Sequence, residues 1–369
     1  MIDEFPAAVL RQPGGDFEFA QLRRSTLRPD EVRVRLVATG LCHADILSRD
    51  QVFPIQLPAV LGHEGPGIVE AVGGKVVNLQ IGDHVVLGFN FCGRCANCLS
   101  GVPGDCETTA AHNFSGVRPD GEPTLFEGER VVSGWYFGQS SFAAVAHVPE
   151  RIAVRVSKGL PLDLLAPLGC SVMTGVGSVL NVLNPRIGSS MAVFGAGAVG
   201  MSAIMAARLR GCSTIIAVDL VEERLALALE LGATAVVNAH SCDPVAQIRE
   251  ITHGKGVENA IDAAGPVHVF GQLVASLGTR GHGVLVSAAP AGSQVRLDLN
   301  ASLGAAHRIS FVLEGDAHPQ TFVPALIDLI AGGQLPIDRI IRRYPFRDLN
   351  QAVADSLAGR AIKPVMIFD

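Results

Sequence analysis

The chain changes its hydrophobic rhythm near residue 167. Before that point the pattern has period two: EVRVRLVATG places Val32, Val34 and Leu36 on one face and Arg33 and Arg35 on the other, as a half-buried strand requires. GIVEAVG, DHVVLGF and SFAAVAHV are further short apolar runs, the first two with glycine at or near their ends, and together they predict a glycine-punctuated β domain. After Pro167, apolar runs (MAVFGAG, STIIAVDL, AIDAAG, HGVLVSAA) alternate with helical segments such as ERLALALELG and PVAQIREITHG. That alternation predicts a parallel, doubly wound α/β sheet. The last segment, from TFVPALIDLI to AIKPVMIF, returns to helices and a final strand, and is expected to pack back on the first domain. Between Asn90 and Ser141 periodicity fails in a stretch rich in Gly, Pro and Cys, longer than a loop usually runs unless something pins it.

Length and charge narrow the classes. A chain of 369 residues suits two domains, and 48% hydrophobic residues supply cores for both, which excludes disorder. Lys and Arg number 29 against 35 Asp and Glu, without basic runs, so nucleic acid is not an expected partner. The start, with Asp3 and Glu4, carries no signal or transit pattern, and the apolar stretch Met191–Ala207 is too short and too glycine-broken for a bilayer span. A cytoplasmic protein without a membrane partner is expected, with its eight cysteines reduced.

Four of those cysteines form C-x2-C-x2-C-x7-C: Cys92, Cys95, Cys98 and Cys106. Four thiolates on one loop can close a tetrahedral shell around Zn²⁺, leaving a net charge of −2 that Arg94 within the loop can partly offset. Such a closed site is structural. Ferredoxin-type spacing would continue x3-C-P, which is absent here. Cys42, His63 and Cys170 are each unremarkable alone, since a lone histidine or buried cysteine is usually packing. As a set, two thiolates and an imidazole would neutralise Zn²⁺ and leave its fourth position open. Cys212 and Cys242 read as packing residues.

Gly195, Gly197 and Gly200 form GxGxxG between the strand-like Met191–Phe194 and a helical run, and Asp219 closes the next strand 19 residues after Gly200. Glycines in that place let the backbone approach a diphosphate at a helix N-terminus, and an acidic residue at 219 accepts from ribose hydroxyls while repelling a 2′-phosphate. NAD is therefore expected over NADP. Arg224 is a further candidate for the adenosine ribose.

Taken together, these residues resemble the zinc-dependent medium-chain alcohol dehydrogenases, in order and spacing, over nearly the whole chain. LPAVLGHEG, CGRCANC, FGQSSFA, APLGC and DAHPQTFVPALIDLI…AIKPV look most like the aryl-alcohol (benzyl-alcohol) dehydrogenases, whose relatives also oxidise allylic terpene alcohols. The resemblance implies a GroES-like catalytic domain at residues 1–171 and 315–369 around a Rossmann NAD-binding domain at 172–314. It implies two zinc ions per chain, one catalytic at Cys42, His63 and Cys170 and one structural at the four-cysteine loop. Asp45 would accept the imidazole N–H of His63, and Glu64 would lie behind the metal. His43 and Lys363 match positions that contact the cofactor diphosphate, and Thr174 and Val199 match positions beside the nicotinamide. A homodimer or homotetramer, extending the nucleotide-domain sheet near Val284–Ala288, is implied as well.

The reaction implied is interconversion of a primary aromatic or allylic alcohol and its aldehyde by hydride transfer. One departure bears on it: the family typically places Ser or Thr two residues after the first zinc ligand, to pass the proton on, and here the residue is Ala44, with Leu47 where some relatives carry a terminal histidine. Water, the cofactor ribose, Glu64 or His43 would have to replace that relay. Two other readings follow: a reductase of C=C or C=N bonds, and a non-catalytic zinc- and NAD-binding redox module. Ala44–Leu47, Phe89, Asn113, Phe114 and Phe142 are candidate pocket residues.

Overall fold

The computed structural model describes residues 4–368. The chain divides into two compact units. The first comprises the described residues up to Cys170, His318–Ala331, and those from Ile337 on; the second comprises Ser171–Ala317 and Gly332–Pro336. Against the expected division, the short segment Gly332–Pro336 belongs with the nucleotide half rather than with the C-terminal segment around it.

The first unit is built mostly from antiparallel strands, with Ile341–Pro345 and Lys363–Ile367 running parallel. Five of them order as Ala153–Val156, His84–Leu87, Pro66–Val72, Glu31–Leu36 and Val145–Pro149. The alternation in EVRVRL is realised: Val32, Val34 and Leu36 are buried, whereas Arg33 is half-buried and Arg35 exposed. A four-stranded sheet pairs Glu4–Leu10 with Phe17–Arg24 and continues through Leu125–Glu127 and Arg130–Val132. A three-stranded sheet joins Ile341–Pro345, Lys363–Ile367 and Ala38–Gly40, so the C-terminal strand pairs antiparallel with the segment that leads into Cys42. That pairing brings residue 363 to the site.

The aperiodic stretch from 90 to 141 is pinned by polar pairs. Arg118 binds Glu31 through Nε to Oε1 at 2.6 Å and Nη2 to Oε2 at 2.7 Å, both side chains buried. Asn90 and Asn113 exchange hydrogen bonds at 2.9 Å. Asn113 is thus a buried structural residue, not a pocket residue, and Phe142, fully buried with its ring 5.5 Å from that of Phe17, belongs to the core.

The second unit holds the predicted doubly wound sheet. Six parallel strands order as Ala235–Asn238, Thr214–Asp219, Ser190–Phe194, Val257–Asp262, Leu277–Leu285 and Arg308–Phe311. Strand order reverses beside Ser190–Phe194, where the glycine turn lies, as it does wherever such sheets bind ligands. The apolar stretch from Met191 resolves into this strand, the turn and the buried face of helix Ala198–Leu209. Among the described residues no single helix is long and apolar enough to cross a membrane. One expectation is corrected: Leu277–Leu285 is paired on both sides, so the segment near Val284–Ala288 is not a free sheet edge, and Arg308–Phe311 is the edge strand on that side.

Candidate active site and metal centres

Cys42 caps the short helix His43–Arg49. Asp45, in its first turn and fully buried, ties three elements: Oδ2 accepts from the Cys42 N–H at 2.8 Å, while Oδ1 accepts from Gly62 N–H at 3.1 Å and lies 3.0 Å from His63 Nδ1. With Nδ1 bonded to Asp45, His63 presents Nε2, a buried nitrogen with no hydrogen-bond partner. Cys170 follows the turn Ala166–Gly169, and its Sγ is 3.9 Å from that of Cys42. The three donor atoms lie within 4.8 Å of one another. Two thiolates on a tetrahedral Zn²⁺ sit about 3.8 Å apart given Zn–S bonds of about 2.3 Å, so the spacing and the orphaned imidazole nitrogen both fit a metal ion.

The electrostatics agree. The bond to Cys170 lowers the Cys42 pKa well below its ordinary value, with Lys363 and His63 helping against burial. Burial opposes a charge on His63, but the Asp45 carboxylate and the Cys42 thiol outweigh it and raise the pKa. Protons and a metal ion therefore compete for the same donors, and loading is favoured as pH rises.

Behind this set, Lys363 Nζ donates to Glu64 Oε1 and Oε2 at 3.0 and 2.9 Å and to Leu41 C=O at 2.9 Å, with both side chains buried. Burial raises the Glu64 pKa, and Lys363 opposes that rise. Lys363, which the resemblance matches to a position that contacts the cofactor diphosphate, here gives its ammonium to three oxygens inside the first unit. His43, in contrast, is exposed at the start of its helix.

An aromatic cluster that sequence reasoning did not select adjoins His63. The Phe137 ring stacks on the imidazole at 4.3 Å and 20°, and Tyr136 meets it edge-on at 5.6 Å. Phe114 packs edge-on to both rings, and Phe53 to Phe114. Of the proposed pocket residues, Phe114 joins this cluster, and Phe89 is buried beside Phe91. The signal was available: Trp135-Tyr136-Phe137 is a run of three aromatic residues in a chain only 5% aromatic. The Tyr136 hydroxyl donates to the Ala44 carbonyl at 3.0 Å and accepts from Ser48 Oγ at 2.9 Å, anchoring the helix that follows Cys42.

The four-cysteine loop is the second metal-ready group. The sulfur atoms of Cys92, Cys95, Cys98 and Cys106 lie within 4.8 Å of one another, with Cys92 and Cys98 3.8 Å apart. Backbone N–H groups of Arg94 and Cys95 point at Cys92 Sγ, and they bring its pKa down to about 6 against the opposing effect of burial. No disulfide occurs among the described residues.

In the second unit, a Cβ on Gly200 would lie 1.8 Å from the Gly195 carbonyl oxygen, so only glycine permits this tight strand-to-helix turn, while the space beside Gly197 is open. An unobstructed helix N-terminus is an anion cradle. Asp219 accepts N–H bonds from Ala196 at 2.6 Å, Leu220 at 2.8 Å and Val221 at 3.0 Å. A carboxylate has about four acceptor positions, so these bonds leave room for one hydroxyl rather than two. Arg224, half-buried on helix Glu222–Leu231, has an Nε that is buried without a partner. Thr174 and Val199 lie on helices that meet at Gly175, where a Cβ would fall 2.2 Å from the Val199 carbonyl oxygen. Thr174 Oγ1 contacts Glu314 at 3.4 Å.

Comparison with known proteins places this geometry. Residues 28–158 match the alcohol dehydrogenase GroES-like domain and residues 198–332 the zinc-binding dehydrogenase domain. The chain belongs to the zinc-dependent medium-chain alcohol dehydrogenases and is an oxidoreductase of that class. It is 42% identical to the geraniol dehydrogenase of Castellaniella defragrans over 98% of this chain and 97% of that one. The crystal structure of benzyl alcohol dehydrogenase from Acinetobacter calcoaceticus superposes with a TM-score of 0.96 at 43% identity, covering 100% of both chains. An alcohol dehydrogenase zinc-binding domain protein from Burkholderia ambifaria gives 0.97 at 48% identity, covering 100% of this chain and 99% of that one.

Proposed function

We propose that this enzyme oxidises primary aromatic or allylic alcohols to aldehydes with NAD, using zinc at Cys42, His63 and Cys170, and that a second zinc in the four-cysteine loop is structural. The observation that carries the reading is the three-donor set around the orphaned His63 Nε2, with the Phe137, Tyr136, Phe114 and Phe53 rings beside it. Planar, apolar substrates suit an aromatic wall, and so does the likeness to geraniol and benzyl alcohol dehydrogenases.

When bound, Zn²⁺ is a Lewis acid that makes an alcohol hydroxyl acidic near neutral pH, and NAD supplies the hydride acceptor. The chain's residues do the rest. Asp45 keeps the His63 proton on Nδ1 and so fixes Nε2 as the donor. The aromatic side chains exclude water, and Lys363 holds Glu64 behind the donor set. The Gly195–Gly200 turn receives the diphosphate, with Asp219 and Arg224 at the ribose and Thr174 and Val199 beside the nicotinamide. An acidic Asp219 favours NAD over NADP. Purified zinc-loaded protein is expected to form NADH faster with benzyl alcohol or geraniol than with hexanol, and faster with NAD than with NADP. Preference for hexanol would defeat the substrate assignment, and preference for NADP the assignment at Asp219.

Ala44 offers no hydroxyl for the departing proton. Glu64 is engaged by Lys363, which leaves exposed His43, the cofactor ribose and water as the route. Restoring a positioned hydroxyl with Ala44→Ser is expected to raise alcohol turnover at pH 6 by about tenfold, below the ~10²–10⁴-fold range of a complete acid–base device. An unchanged pH–rate profile would show that proton departure does not limit this enzyme. Ala44 also suits a reductase of C=C or C=N bonds, but retention of all three zinc donors favours the dehydrogenase. The edge strand Arg308–Phe311, with Phe311 71% exposed, supports sheet extension into a homodimer or homotetramer. Light scattering on the eluted protein is expected to give a mass of two or four chains, and a stable monomer would contradict it.

A further inference from the structure

We propose that Arg151 is the counter-charge of the four-cysteine metal site and a positioning residue for its loop. The inference rests on the reading of that loop as a zinc site. Four thiolates around Zn²⁺ carry a net −2, and a charge of that size needs a nearby cation more than it needs further packing. Arg94, the cation that the loop sequence itself offers, is exposed, and its contribution is the backbone N–H given to Cys92 Sγ. Water screens a charge held there.

Arg151 comes from a different place, the turn Glu150–Ile152 between strands Val145–Pro149 and Ala153–Val156, and its side chain reaches the residues that lead into the loop. Its Nε donates to the Phe91 carbonyl at 2.6 Å and its Nη2 to Asn90 Oδ1 at 2.9 Å, the two residues immediately before Cys92. Asn90 is fully buried and locked to Asn113, so the guanidinium grips a fixed point. Arg151 Cδ lies 4.0 Å from where a Cβ on Gly93 would stand, inside the Cys92–Cys95 turn. Its own backbone carbonyl accepts from Gln320 Nε2 at 2.9 Å, which fastens the base of the side chain. Burial lowers the Arg151 pKa, and the charges of Asp30 first and then of Cys92, Cys106 and Cys98 act in the opposite direction.

The test uses the full-length protein as Arg151→Met and Arg151→Lys, with zinc release to a chromophoric chelator and thermal midpoints of the loaded and metal-free forms as readouts. The methionine variant is expected to lose the loop zinc about 10- to 100-fold faster, as when a residue supporting a metal ligand is removed. The lysine variant, which keeps the charge, should retain most of the wild-type hold. The midpoint of the loaded protein should fall with methionine while that of the metal-free protein moves little. Equal loss in both forms, or release from the methionine variant at the wild-type rate, would overturn the proposal. Failure of the underlying zinc reading is separately visible: Cys170→Ala protein with wild-type Arg151 would then contain no zinc instead of one per chain.

Discussion

Replacing Cys170 by alanine is expected to remove one zinc per chain and to lower alcohol turnover on the order of 10³-fold or more, because Lewis-acid stabilisation of developing charge is worth several kcal/mol. The size of the loss follows from the donor set. On the proposed function Cys170 is one of three protein donors, its sulfur 3.9 Å from that of Cys42, and the remaining pair would not hold the ion with its charge neutralised. Metal analysis should find the four-cysteine zinc retained, since no ligand of that loop is touched. Circular dichroism should be unchanged. A variant with two zinc ions and near-normal turnover would place the chemistry elsewhere.

The second large effect concerns stability. Arg118→Met is expected to cost about 3–5 kcal/mol, the range for breaking a buried ion pair by removing one partner. Arg118 and Glu31 are each no more than 3% exposed, and the two bonds between them are in the bidentate arrangement that makes arginine–carboxylate pairs strong. Arg118 Nη1 also donates to Ser25 Oγ at 2.9 Å. Methionine leaves Glu31 charged in the interior with the Arg28 N–H as its remaining partner at 3.0 Å. Adding Glu31→Leu to Arg118→Met should recover part of the loss, because the carboxylate is no longer stranded, while buried Arg24 loses the support of its charge. Urea unfolding of the two single variants and the double variant measures this directly. A cost below about 1 kcal/mol, typical of an exposed pair, would contradict the burial argument. The consequence reaches the site, since this pair fixes the segment that leads to Tyr136 and Phe137.

These two cases also mark where sequence reading succeeds and where it stops. The convergence of the four-cysteine loop was legible because its cysteines lie within 15 residues of one another, at a spacing that suits one metal ion. The nucleotide turn was legible for a similar local reason: strand, glycines, helix and the later Asp219 form one contiguous pattern. Cys42, His63 and Cys170 were individually ambiguous, and it was the family resemblance that joined residues 128 positions apart. What remained hidden is set by tertiary packing. Lys363 reaches Glu64 across 299 residues because the final strand pairs beside Ala38–Gly40, and no local signal announces that a surface-type residue will be buried. The same holds for counter-charge: Arg94 is adjacent in sequence, but Arg151 is placed by the sheet. For Phe142 and Asn113 the sequence leaves pocket and core equally open, because an apolar or amide side chain in a loop carries no mark of which way it faces, and the structure buries both.

The most direct test of the chemistry follows the hydrogen itself. Zinc-loaded enzyme given NAD and benzyl alcohol deuterated at the carbinol carbon should yield benzaldehyde and a reduced nicotinamide one mass unit heavier, with turnover slower than for the unlabelled alcohol when hydride transfer limits the rate. Deuterium released to solvent, or no reduced nucleotide from protein that holds both zinc ions and NAD, would contradict direct hydride transfer from an alcohol at the Cys42, His63 and Cys170 site.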